Sequence, residues 1–131
     1  MAITYYALPS NRLIVVKYLG KNSDKEVIGF FSQLIDNPEI DIHSDMLIDV
    51  TEAVVEEPES VERYTSLRRY WNAKWPQASR IAVIAPLDLT YGMARMHIAY
   101  TGRSEEQYQV FRTAQEALDW LEQPMSVLQP V

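Results

Sequence analysis

The sequence predicts an α/β domain: a mixed sheet of about five strands packed with about four helices. Three observations carry that prediction. The run Ile81-Ala82-Val83-Ile84-Ala85 is apolar on both faces, so it needs cover above and below and belongs inside a sheet. Strand-like runs alternate with helical stripes along most of the chain, which implies parallel pairs joined by right-handed crossovers. The first two strand-like runs are separated only by the turn signal Pro9-Ser10-Asn11, which implies an antiparallel hairpin. The predicted order is ββαβαβαβα in a single domain, 1–131.

The hairpin strands are Ile3 to Leu8 and Arg12 to Leu19, with Gly20 closing the second. A helix starts at Ser23, because Ser23 and Glu26 have capping-box spacing and each side chain reaches a free backbone N–H. Val27, Phe30, Phe31, Leu34 and Ile35 follow at helical spacing as one apolar stripe, and Pro38 ends it. Gly29 points away from that stripe, as either a neutral surface position or a place of close backbone approach. Met46 to Thr51 reads as the third strand and the acidic run Glu52 to Glu59 as a loop. Pro58 suits the first turn of a second helix, whose face carries Val61, Tyr64, Trp71 and Trp75 and which Pro76 stops. After the Ile81–Ala85 strand, Asp88 to Thr90 gives a helix-start signal and Gly102 a stop. Glu106 to Arg112 is the last strand. Thr113 with Glu116 repeats the capping form before a short terminal helix of Ala114, Ala117, Leu118 and Leu121.

Composition excludes several functions. The chain of 131 residues has no cysteine, which removes thiol catalysis, disulfides and thiolate metal sites. A net charge of −6 and a pI near 4.8 oppose broad binding to nucleic acid. No apolar run approaches the ~20 residues of a membrane span. The start, MAITYYALPSNR, lacks a basic region followed by an apolar run, so a cytoplasmic location is expected. Four glycines leave no phosphate loop and no dinucleotide fingerprint. His43 and His97 have no partner at ligand spacing, so no metal and no cofactor are expected.

A resemblance adds to this reading. Arg12-Leu13-Ile14-Val15-Val16 leading to Gly20, Leu47-Ile48-Asp49-Val50-Thr51, Ile81 to Pro86, Gly92-Met93-Ala94-Arg95-Met96 and Ala117-Leu118-Asp119-Trp120-Leu121 resemble the SpoIIAA-like proteins. These are relatives of the STAS domains of anti-sigma factor antagonists. The resemblance implies a bacterial cytoplasmic protein with a STAS-like mixed sheet and no established enzyme activity. The antagonists carry a phosphorylatable Ser in an Asp-Ser-Ser-Gly-type turn after the third strand. Here Thr51 is followed by Glu52-Ala53-Val54 with no Ser-Gly pair, so the resemblance does not carry the phosphosite over.

Two groups of residues stand out as candidate sites. Asp49 and Thr51 end a predicted inner strand, where open α/β sheets bind ligands; the alternative is that Asp49 satisfies nearby backbone. Arg68 falls near the apolar stripe of the second helix. Either its stem covers the core, or its guanidinium holds a carboxylate from Asp49 or a ligand. With His97 these residues make the candidate ligand site. The helix after Pro86 has two apolar stripes, one with Leu89, Met93, Met96 and Tyr100 and one with Tyr91, Ala94 and Ile98. One sheet needs only one stripe. The second is covered either from within the chain or by a partner, and Tyr91, Gly92, Ala94, Arg95 and Ile98 are the candidate interface, most simply of a twofold homodimer. The expected function is a non-enzymatic regulatory or protein-interaction domain, homodimeric, with a possible unidentified protein partner. The alternative is a binding or sensing protein for a lipid, nucleotide or other anionic or apolar metabolite.

Overall fold

The computed structural model describes residues 2–54 and 79–128. The predicted helix over 58–75, and Arg68 with it, lies outside the described residues. Ala2–Leu8 (β1) and Leu13–Gly20 (β2) form the expected hairpin, in register from Ala2 opposite Leu19 to Leu8 opposite Leu13. Arg12 does not open β2. It sits in the left-handed region at φ 49°, and its N–H donates to the Pro9 carbonyl at 3.1 Å to close a 3-10 turn.

Asp24–Asp36 (α1) begins at the full capping box. The Glu26 N–H donates to Ser23 Oγ at 3.1 Å, and the Ser23 N–H donates to Glu26 Oε1 at 3.3 Å. Asp45–Ala53 (β3) runs two residues further than the sequence pattern indicated. A bulge in the β2–β3 register between Lys17 and Leu19 re-aims the strand, and Glu52 then pairs with Leu19. The Lys17–Glu52 ion pair at 2.5 Å and the Val54 N–H on the Gly20 carbonyl at 2.9 Å hold this extension. The acidic run is strand as far as Ala53, with Glu52 facing Lys17 across the ladder.

Ile81–Ile84 (β4) is buried along its whole length. Asp88–Thr101 (α2) starts from Leu87 with no side-chain cap, and Gly102 ends it at φ 72°. Tyr108–Phe111 (β5) is shorter than expected, because the Gln107 and Tyr108 N–H groups both turn back to the Ser104 carbonyl. Ala114–Leu121 (α3) is capped by Thr113, whose Oγ accepts from the Glu116 N–H at 3.2 Å, and a 3-10 turn, Met125–Leu128, follows. The sheet order is β1-β2-β3-β4-β5, with β1 antiparallel and the rest parallel. It is the mixed five-stranded sheet predicted; the described residues hold three of the four predicted helices.

Alternation along the strands sends their side chains to two separate cores. Ile14, Val16, Met46, Ile48, Ile81 and Val83 meet Val27, Phe31 and Leu34 of α1, with Tyr91, Ala94 and Ile98 of α2 packed against the same cluster. Leu13, Val15, Leu47, Ala82 and Ile84 face the other way, onto Ala117, Leu118 and Leu121 of α3 and onto Val127.

Candidate functional site

Asp49 is the last β3 residue paired with β4, opposite Ile84. Its Oδ1 accepts from the Thr51 N–H at 2.9 Å and from Thr51 Oγ1 at 2.5 Å. Of the two sequence readings, the geometry matches the local one: the carboxylate closes the backbone turn two residues on. Tyr6 lies nearby, and its hydroxyl donates to the Val127 carbonyl at 2.7 Å. Burial raises the Tyr6 pKa, the Asp49 charge raises it further, and Lys17 opposes both. This corner is therefore a small polar network on the α3 face, at the carboxyl end of the parallel strands.

His97 is elsewhere. It projects from the second half of α2, with Nδ1 3.1 Å from the Tyr108 hydroxyl and the two rings edge to face at 5.8 Å. Tyr108 opens β5 and packs in the α1/α2 core. Its pKa is raised by burial, while the Arg103 charge pulls the other way. Arg103 is itself buried, and desolvation lowers its pKa. His97 and Asp49 thus lie on opposite faces and at opposite ends of the strands, and the structure does not bring them together. The expected four-residue ligand site is corrected to that extent, with Arg68 outside the described residues.

The candidate interface changes as well. Tyr91, Ala94 and Ile98 pack on the chain's own core, while Gly92 and Arg95 are exposed. The stripe left outward is Leu89 and Met96, at 39% and 46% exposure, beside Leu87 at 61%. Two apolar stripes of similar size look alike in a sequence, and only the direction of the sheet chooses between them.

Sequence reasoning missed two arginine-centred clusters. Arg80 donates from its backbone N–H and Nη2 to the Asp45 carboxylate at 3.0 and 3.1 Å. The same guanidinium donates to the Trp120 and Leu121 carbonyls at 3.0 and 3.2 Å. It thereby satisfies carbonyls that the end of α3 leaves free. The available signal was an acid and a base immediately before two inner strands, Asp45 and Arg80, which parallel pairing sets side by side. Arg112, just past β5, donates to Asp88 at 2.6 Å and to the Pro86 carbonyl at 3.2 Å, and lies 4.0 Å over the Tyr91 ring. It ties the start of α2 to the sheet. Among the described residues no group of three or more His, Asp and Glu side chains gathers to hold a metal ion.

No family model and no curated protein matches the sequence. Among solved structures the chain is similar to an uncharacterised protein of the DUF3478 family with a SpoIIAA-like fold from Shewanella loihica PV-4. The TM-score is 0.56 and the identity 22%, over 92% of each chain. The mixed five-stranded sheet packed with helices agrees with that likeness. The chain has a SpoIIAA-like, STAS-type fold.

Proposed function

We propose that this chain is a non-enzymatic regulatory or protein-interaction domain of STAS-like type, acting as a homodimer in the bacterial cytoplasm. The observation that carries the reading is the division of labour between polar and apolar groups. Asp49, Arg80 and Arg112 are engaged in closing turns and helix ends. Large apolar side chains meanwhile stand outward at Leu87, Leu89 and Met96. Large apolar side chains left in water at one end and along one face of a helix favour a contact surface, whereas catalysis needs a nucleophile and a base within reach of each other.

The second reading is a carrier or sensor of a small anionic or apolar metabolite. Asp49 favours it by its place opposite Ile84, at the carboxyl end of β4, with Thr51 beside it, because sheets of this class bind ligands outside such strand ends. Native mass spectrometry of protein purified from a bacterial strain separates the two. A dimer mass without adduct is expected. A stoichiometric extra mass on each chain overturns the first reading and identifies the ligand by weight.

A further inference from the structure

We propose that β1 and α1 together form the contact with a second copy of this chain, so that two sheets join through β1 about a twofold axis. The inference rests on the homodimer reading and places the contact at the β1 edge, apart from the exposed Leu87, Leu89 and Met96 of α2. The strand order leaves β1 and β5 at the edges of the sheet. β5 is short, four residues, and Arg112 follows at once. β1 is seven residues, AITYYAL, with no charge, no proline and no break in register. Natural edge strands are blunted by charge, proline, a bulge or shortness, and β1 has none of these. Among the described residues nothing pairs with its outer edge. Under a twofold axis normal to the sheet, β1 runs antiparallel to its own copy, as a ladder between identical strands in a closed dimer requires.

The charges on α1 are a second, independent observation. The helix lies over β1, with the Tyr5 and Phe30 rings edge to face at 5.9 Å. A cleft of about 320 Å³ opens beside them, lined by Ile3, Lys25, Gly29, Phe30 and Gln33. The outward stripe of the helix is Lys25, Gly29, Gln33 and Asp36, all exposed. Lys25 is in the first turn and Asp36 is the last residue, so both charges oppose the helix dipole. Neither makes an ion pair among the described residues. An antiparallel copy of α1 sets Lys25 opposite Asp36 of the second copy, and symmetry repeats the pair. A Cβ built on Gly29 meets nothing within 4 Å, which leaves room for Gln33 of the second copy. The middle of the stripe lies beside Phe30, which touches Tyr5 in the middle of β1, so one axis serves the strand ladder and the helix pair together.

Sedimentation velocity across a concentration series tests this with Lys25→Asp, Asp36→Lys and the double variant. Each substitution places a charge where the helix dipole favours it, so α1 keeps its folding tendency, and far-ultraviolet circular dichroism verifies that. Each single variant replaces two attractive pairs by two repulsive ones. The dimer dissociation constant is expected to rise about tenfold or more for either single variant and to return to within about threefold of wild type in the double. A wild-type chain that sediments as a monomer overturns the homodimer reading itself. A wild-type dimer that the single variants leave intact, or that the double variant fails to restore, overturns this surface and leaves the homodimer reading in place.

Discussion

On one face of the sheet, α1 sets Val27, Phe31 and Leu34 against Ile14, Val16 and Met46, and α2 adds Tyr91, Ala94 and Ile98. On the other, α3 has only eight residues and three buried side chains, Ala117, Leu118 and Leu121. Among the described residues, polar pins between distant parts of the chain add to that second face. Arg80 holds the end of α3, Tyr6 holds the Val127 carbonyl, and Asn11 and Gln123 exchange hydrogen bonds at 3.1 and 3.0 Å. Apolar burial holds whatever fits and tolerates changes of shape, whereas a pin holds one geometry. Arg112 pins the start of α2 as well, but α2 and α1 also bury long apolar stripes. The two-turn α3 has three buried side chains, and directional bonds add to them.

Substitutions on the two faces should therefore differ in size and in chemical tolerance. Phe31→Ala, at 1% exposure, removes a whole ring from the better covered face and is expected to cost about 3–5 kcal/mol by urea denaturation. Phe31→Leu should recover much of that, because volume is what matters there. Arg80→Ala should cost less, about 2 kcal/mol, through loss of charge-assisted bonds to Asp45 and two helix carbonyls. The sharper expectation concerns Arg80→Lys, which should recover little. One ammonium cannot span a carboxylate and two carbonyls as a planar guanidinium does. Equal rescue of both sites by their conservative variants would erase the distinction between the faces. Tyr6→Phe removes one hydrogen bond, to Val127, and should cost about 1 kcal/mol, measured in the same way.

The smallest effect is a pH dependence confined to the α1/α2 face. Tyr108 has its pKa raised above the ordinary 10.0 because burial penalises the phenolate. The folded state holds the neutral form, so this contribution is complete below 10.0 and declines as pH rises above it, where the unfolded chain ionises first. Tyr108→Phe should lose less stability than wild type on passing from below to above that value. Denaturation midpoints on either side of it check this.

Much of this arrangement was legible in residue spacing. The Ser23 capping box, the α1 stripe and the interior position of β4 follow from local pattern, while at Thr113 only the hydroxyl half of the box forms. What was not legible depends on partners far along the chain. Arg80 and Trp120 lie 40 residues apart, and the pin between them exists only once β4 and α3 are packed. The extension of β3 brings Glu52 into an ion pair with Lys17 of β2, a partner far back in the chain. The choice between the stripes of α2 is likewise tertiary. At the candidate ligand site, β3 continues past Asp49 and Thr51 to Ala53, and their spacing of two residues suits the local turn they make. His97 was grouped with them because nothing in a sequence says on which side of a sheet a helix will lie.

The α1 face also reaches the open edge of the sheet, where Phe30 of α1 meets Tyr5 of β1. In the proposed dimer a second copy completes that edge. Hydrogen exchange followed by mass spectrometry, at protein concentrations well above and well below the dimer dissociation constant, reads it directly. Amides of Ala2–Leu8 are expected to exchange slowly in the dimer and faster on dilution, while β4 stays protected at both concentrations. Exchange in β1 that is fast at every concentration would contradict the claim and leave β1 as a free edge.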